Sequence, residues 1–211
     1  MFQFLKRSKP SLVSNNEQAP TAGHIIKIDG DFGDNLDLQV SGENNRLSIE
    51  RPAEVTNLKI VLTGEASVSI GAGCILRNLF IYATPGSCLV IGQGVGFNGP
   101  VQVLLHEPKT ITIGDHSLIG TGVLITVSDM HSILDAATGK RINHARDVTI
   151  APRVWVAHSS FVLKGATIGE GSVIGANSVV TGEIPPNCIA VGSPARVTRR
   201  GITWHPLLIN P

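Results

Sequence analysis

Residues 166–180 read ATIGEGSVIGANSVV. Ile168, Ile174 and Val180 fall six apart, each with a small residue two positions earlier (Ala166, Ser172, Ser178), and glycine follows both isoleucines. Side chains alternate along a strand, so each aliphatic residue and the small residue two before it face the same side. Glycine after the aliphatic gives a backbone able to turn where a β-carbon would crowd. Short strands separated by such corners, repeated every six residues, stack as a parallel β-helix in which each coil covers the one before.

The pattern extends in both directions. Ile150, Val156 and Val162 continue it upstream, with Val154 and Ser160 at the small inward positions. Further back, Ile113, Ile119 and Ile125 repeat at six, and the next step lands on His131 within SDMHSI. The ladder is then lost for about twenty residues and resumes at Ile150 displaced by one. This predicts an inserted loop around 127–147, with a histidine where an inward aliphatic is given up. Earlier still, Leu38, Ile49, Ile60, Ile70, Ile81 and Ile91 are spaced ten or eleven apart, an irregular internal repeat. No segment carries apolar residues at helical spacing, so the expected class is all-β. Leu118, Leu124, Trp155, Phe161, Val173 and Val179 point outward in this scheme although apolar, which predicts their burial against other subunits.

The expected organisation is a flexible arm at 1–22, a β-helix at 23–193 and a C-terminal tail at 194–211. Seventeen basic and sixteen acidic side chains, net +1, give no general attraction to nucleic acid or an anionic membrane. No apolar stretch is long enough for a membrane span, and MFQFLKR lacks the apolar core and cleavage site of a secretory signal. Cys74, Cys88 and Cys188 are odd in number and are expected to be free thiols, consistent with a reducing cytoplasm.

Coils, an inserted loop with a histidine, a VW coil at 154–155, further coils, then IPPN at 184–187 and GSPARV at 192–197 follow one another in this chain. That order resembles the left-handed β-helix hexapeptide acyltransferases, the family of galactoside, maltose and serine acetyltransferases. Left-handedness is implied by the resemblance alone, since periodicity is blind to hand. The SDMHSI loop, with Trp155 following His131 by 24 residues, is most similar to bacterial polysaccharide O-acetyltransferases, including those acting on polysialic acid and other surface glycans.

The resemblance implies a homotrimer that transfers acetyl from acetyl-CoA to a sugar hydroxyl, with no metal; no nucleophile with an adjacent base is evident in the sequence, so no covalent enzyme intermediate is expected. An alcohol needs a base, and histidine suits that role near neutral pH. The resemblance assigns it to His131, and Asp129 either orients the imidazole or caps the turn. Trp155 is implied as a wall of the acceptor or donor site, or anchors a subunit interface. The backbone N–H at His158 is implied to steady the oxyanion. Coenzyme A is implied to lie along Ala176 and Thr181, with its phosphates near Arg196 and Arg199. The family often has lysine after that threonine, but Gly182 stands here, and Lys164 or Arg200 is a possible substitute. The remaining histidines, His24, His106, His116, His144 and His205, are expected at the surface or in turns. Three other functions stay open: N-acetylation of an amino sugar, a zinc site of the gamma carbonic anhydrase kind, and a non-catalytic scaffold.

Overall fold

The computed structural model describes residues 23–210. The expected arm at 1–22 lies outside the described residues. The chain winds as a three-sided solenoid of short parallel strands, with one 3-10 turn at Gly33–Asn35 as its single helical element among the described residues. Eight strands, from Ile25–Ile28 to Glu183–Ile184, pair in parallel register to form the first face. The second and third faces belong to one larger sheet, because the long strands Ile75–Ala83 and Gly96–Leu105 bend across the corner between them.

Each face has a principal inward ladder. On the first it is Ile28, Ile49, Ile70, Ile91, Ile113, Ile150, Ile168 and Ile184. On the second it is Val55, Leu76, Phe97, Ile119, Val156, Ile174 and Ala190. On the third it is Leu38, Ile60, Ile81, Val103, Ile125, Val162 and Val180. The six-residue period is therefore one face, and three such steps make one coil. Most of these side chains are under 2% exposed, so the core is a continuous aliphatic column. Phe97 lies in its middle and Phe32 near its N-terminal end.

The register explains the irregular repeat. Between successive inward residues, the passages from first to second face and from second to third are five or six residues long. The passage from third face back to first varies. It takes ten residues from Ile60 to Ile70, Ile81 to Ile91 and Val103 to Ile113, then twenty-five from Ile125 to Ile150, six from Val162 to Ile168 and four from Val180 to Ile184. The ten-or-eleven spacing of the early repeat counts only the first and third faces and skips the second. One corner absorbs nearly all length variation, and the insertion is an extreme case of it.

That register also corrects the reading of His131 as a displaced rung. Val127 is still inward and fully buried, and Ile150 pairs directly under Ile113, so no rung is missing. His131 stands outside the coil, on an exposed loop with no strand between Thr126 and Val148 beyond an isolated Leu134–Arg141 bridge. The outward apolar residues form two rows on adjacent faces: Leu118, Trp155 and Val173 on the second, and Leu124, Phe161 and Val179 on the third.

The corners behave as the sequence suggests. A β-carbon on Gly114 would lie 2.4 Å from the backbone nitrogen of Pro152 in the next coil, an approach only glycine allows. The inward hydroxyls occupy corners where backbone groups need partners: Ser172 Oγ donates to the Pro185 carbonyl at 2.7 Å and accepts from the Cys188 N–H at 3.1 Å. Ser117 does the same for Ala151 and Val154. All three cysteines are free, with Cys74 and Cys188 buried and Cys88 half-buried. Part of the expected tail is ordered as a strand, Arg196–Arg200, antiparallel to Cys188–Val191.

Candidate functional site

The loop at 127–147 is fastened to the coils on either side of it. From the coil before, Glu107 accepts two hydrogen bonds from the Arg141 guanidinium, at 2.8 and 2.6 Å, and one from Ser128 Oγ at 2.6 Å. The paired guanidinium, with the serine hydroxyl adding to it, holds the Glu107 carboxyl down at about 2. From the coil after, Lys164 bonds through Nζ to the Asp129 carboxylate and to the Asn143 carbonyl. The bond to Lys164 is the main cause that keeps Asp129 below the usual carboxylate range.

Asn143 is the hub between these anchors. It is 8% exposed, and its Nδ2 donates to Asp129 Oδ2 at 2.8 Å and to the His131 carbonyl at 2.7 Å. Its Oδ1 accepts from the Ile133 N–H at 2.7 Å and from Arg141 Nε at 3.2 Å. The His131 N–H donates to the Asp129 carbonyl at 2.7 Å, and Met130 between them takes the left-handed conformation at φ 62°. The backbone of His131 is thus held on both sides while its ring stays exposed. Asp129 positions the loop: its carboxylate serves Lys164 and Asn143 and makes no hydrogen bond to the imidazole among the described residues. The same ion pair ties Lys164, whose side chain is 16% exposed, to the loop.

The other expected residues fall elsewhere on the coil. Trp155 projects outward from the second face between Leu118 and Val173, 38% exposed. His158 and Ala176 are exposed in successive turns of the second-to-third corner, where the His158 carbonyl accepts from the Asn177 N–H at 3.1 Å. Thr181 is exposed at the third-to-first corner, below the root of the loop, and the space about Gly182 is open. Arg196 and Arg199 are exposed on the last strand beside the second face.

No hydrogen bond links His131 to Trp155 or His158 among the described residues, and a third face roughly 20 Å wide, six residues at about 3.3 Å each, separates the two corners. Within one chain His131 and Thr181 therefore lie toward the third-to-first corner, and Trp155, His158 and Ala176 lie on the second face and the corner that follows it. Sequence reasoning missed Glu107, Ser128, Arg141 and Asn143, since nothing in the spacing couples a corner to a loop that begins some twenty residues later. It missed Trp204 as well, whose ring packs on Trp155 at 6.0 Å between centroids.

His106 lies at the turn that follows the strand Gly96–Leu105, half-buried against Tyr82 with ring centroids 4.8 Å apart, and burial lowers its pKa. Among the described residues no group of three or more His, Cys, Asp or Glu side chains is placed to hold a metal, and no helix is long and apolar enough to cross a membrane.

The bacterial transferase hexapeptide pattern of six repeats matches residues 147–182. A galactoside O-acetyltransferase of Lactococcus lactis is 30% identical over 156 residues, covering 74% of this chain and 72% of that protein. A polysialic acid O-acetyltransferase of Escherichia coli O1:K1 is 36% identical over 124 residues, but the match covers 59% of this chain and only 40% of that longer protein. Among solved structures, the polysialic acid O-acetyltransferase OatWY superposes with a TM-score of 0.80 at 26% identity, over 89% of this chain and 90% of that one. With the six-residue pattern matched within the coil and a galactoside O-acetyltransferase similar over most of both chains, the chain belongs to the bacterial transferase hexapeptide-repeat family.

Proposed function

We propose that the protein is an acetyl-CoA-dependent O-acetyltransferase that modifies a sugar hydroxyl of a bacterial surface polysaccharide, working as a homotrimer. The observation that carries this reading is the anchored loop: two ion pairs and a buried asparagine hold the backbone of one exposed histidine, an arrangement with no role in the coil's own packing. The named relatives, acting on galactosides and polysialic acid, support the reaction class and a glycan acceptor.

The reaction is direct transfer. His131 accepts the proton of the acceptor hydroxyl as its oxygen attacks the thioester carbonyl. The carbonyl oxygen gains negative charge and takes a hydrogen bond from the His158 N–H of a neighbouring subunit. The tetrahedral intermediate collapses with loss of the coenzyme A thiolate, which recovers the proton from the imidazolium. Trp155 of that neighbour packs on the reacting groups and excludes water. The exposed apolar rows that include Trp155 and Phe161, at 38% and 42% exposure, support burial between subunits. Arg196 and Arg199 are the cations available to coenzyme A phosphates beside the second face.

The experiment is thiol release from acetyl-CoA against a panel of sialylated, hexose and amino-sugar glycans, with product NMR to separate O- from N-acetylation. One or more hydroxyl acceptors are expected to react, and His131→Ala is expected to lower the rate by about 10² or more. Full activity in His131→Ala would refute the assignment.

A further inference from the structure

The chain has two tryptophans, Trp155 and Trp204, and they pack against each other at 6.0 Å between centroids with planes tilted by 48°. Trp204 arrives from the far end of the molecule. After the last strand, Arg196–Arg200, the chain turns back: the Ile202 N–H donates to the Asn187 carbonyl at 3.0 Å. Asn187 in turn donates to the Glu170 carbonyl, and Gly171 to that of Pro152, so this edge of the coil is a continuous stack of turns. The returning segment climbs along it to the turn that precedes Trp155. There Trp204 Nε1 donates to the Arg153 carbonyl at 2.7 Å, and the Arg153 guanidinium donates to the Trp204 carbonyl at 3.5 Å. Arg153 itself holds a left-handed conformation, φ 55°, immediately before the buried Val154 that fixes the strand of Trp155.

From this geometry we infer that Trp204 is a positioning residue of the transfer site: the C-terminal strap clamps one face of the Trp155 indole and sets the direction in which its other face meets the substrates. The inference rests on the role given to Trp155 above and adds to it a dependence on a segment 49 residues further along the chain. A lone tryptophan on an outward row, flanked only by Leu118 and Val173, has free choice among rotamers; a second indole on one side, tied to the backbone by a hydrogen bond, removes that choice. Rings tilted by 48° at this distance leave no slot between them, so a sugar ring or a pantetheine arm packs on the outer face of Trp155. The clamp therefore acts through Trp155, and its loss is felt in the alignment of reacting atoms, where a shift of about 1 Å costs up to 10²-fold.

Because no other tryptophan contributes, the pair reports on itself. Far-UV circular dichroism of the full-length protein, where the strong indole transitions couple, is expected to show an exciton couplet that both Trp204→Ala and Trp155→Ala abolish. In glycan acetylation, Trp204→Ala is expected to lower kcat by about tenfold with a smaller change in KM, and Trp204→Phe, which keeps a ring on Trp155, is expected to recover most of it. Urea unfolding of each variant shows whether the coil itself is intact. Loss of the couplet in Trp204→Ala with unchanged kcat and KM overturns this inference alone, as does a wild-type spectrum with no couplet. A wild-type protein inert toward every acceptor overturns the transfer reaction, and the positioning role with it.

Discussion

Lys164 sits one coil beyond the insertion and reaches back to the carboxylate of Asp129, two residues before His131. The contact joins an ordinary coil corner to the inserted loop and fixes the direction from which the loop leaves. Replacing Lys164 by Met keeps much of the side chain's apolar stem and removes only the charge. Such a change is expected to leave the melting temperature near wild type and to lower kcat by about tenfold, since effects on alignment reach 10². Steady-state kinetics beside a thermal melt would check it; equal losses in stability and rate would mean the pair serves the fold instead.

Glu107 predicts how the loop responds to acid. Its carboxyl is lowered from 4.5 to about 2 by the Arg141 guanidinium, so the charged form is the one that the folded loop favours. The stabilisation is therefore complete above about pH 4.5 and fades as pH falls from there towards 2. The protection of the amides across 127–147, taken as the exchange rate relative to the intrinsic rate at each pH, is expected to fall over that window in the wild type. In Glu107→Gln that protection is expected to be low already at pH 7 and to change little on acidification.

The inward ladders predict where the coil is fragile. Ile119 is fully buried on the second face between Phe97 and Val156, and Ile119→Ala is expected to cost about 2–5 kcal/mol by denaturant unfolding. Ile142→Ala, on the exposed part of the loop, is expected to stay within about 0.5 kcal/mol.

Two glycines separate crowding from open space. Gly114→Ala drives a β-carbon to 2.4 Å from the Pro152 backbone and is expected to lower stability by roughly 2 kcal/mol or more. Gly182→Lys meets nothing within 4 Å and is expected to fold normally. It places a cation directly after Thr181, where the proposed function puts coenzyme A, so a lower KM for acetyl-CoA is the expected kinetic change.

The coil was legible because its physics is periodic: one inward aliphatic per face, one small residue before it, one crowded corner. Ile150 through Val180 could be placed in register from spacing alone. The early coils were harder, because the third-to-first passage takes ten residues instead of six and hides the rungs Val55, Leu76 and Phe97 between those that stand out. The inserted loop that carries His131 was legible from the break in the period, although the break proved to be a loop leaving an unbroken ladder. The anchors Glu107, Arg141, Asn143 and Lys164 could not be read, since polar side chains that meet across coils leave no period. Trp204 was invisible for the same reason: antiparallel return of a terminal segment is set by tertiary contact.

The proposed transfer requires His131 of one subunit beside Trp155 and His158 of another, and assemblies that mix two inactive variants test that requirement. His131→Ala and Trp155→Ala are each expected to be nearly inactive as pure proteins. Co-expressed in equal amounts, they are expected to regain about a quarter of wild-type activity, because in a closed ring that fraction of interfaces pairs an intact histidine with an intact tryptophan. Mixed assemblies as inactive as either parent would contradict a site shared between chains.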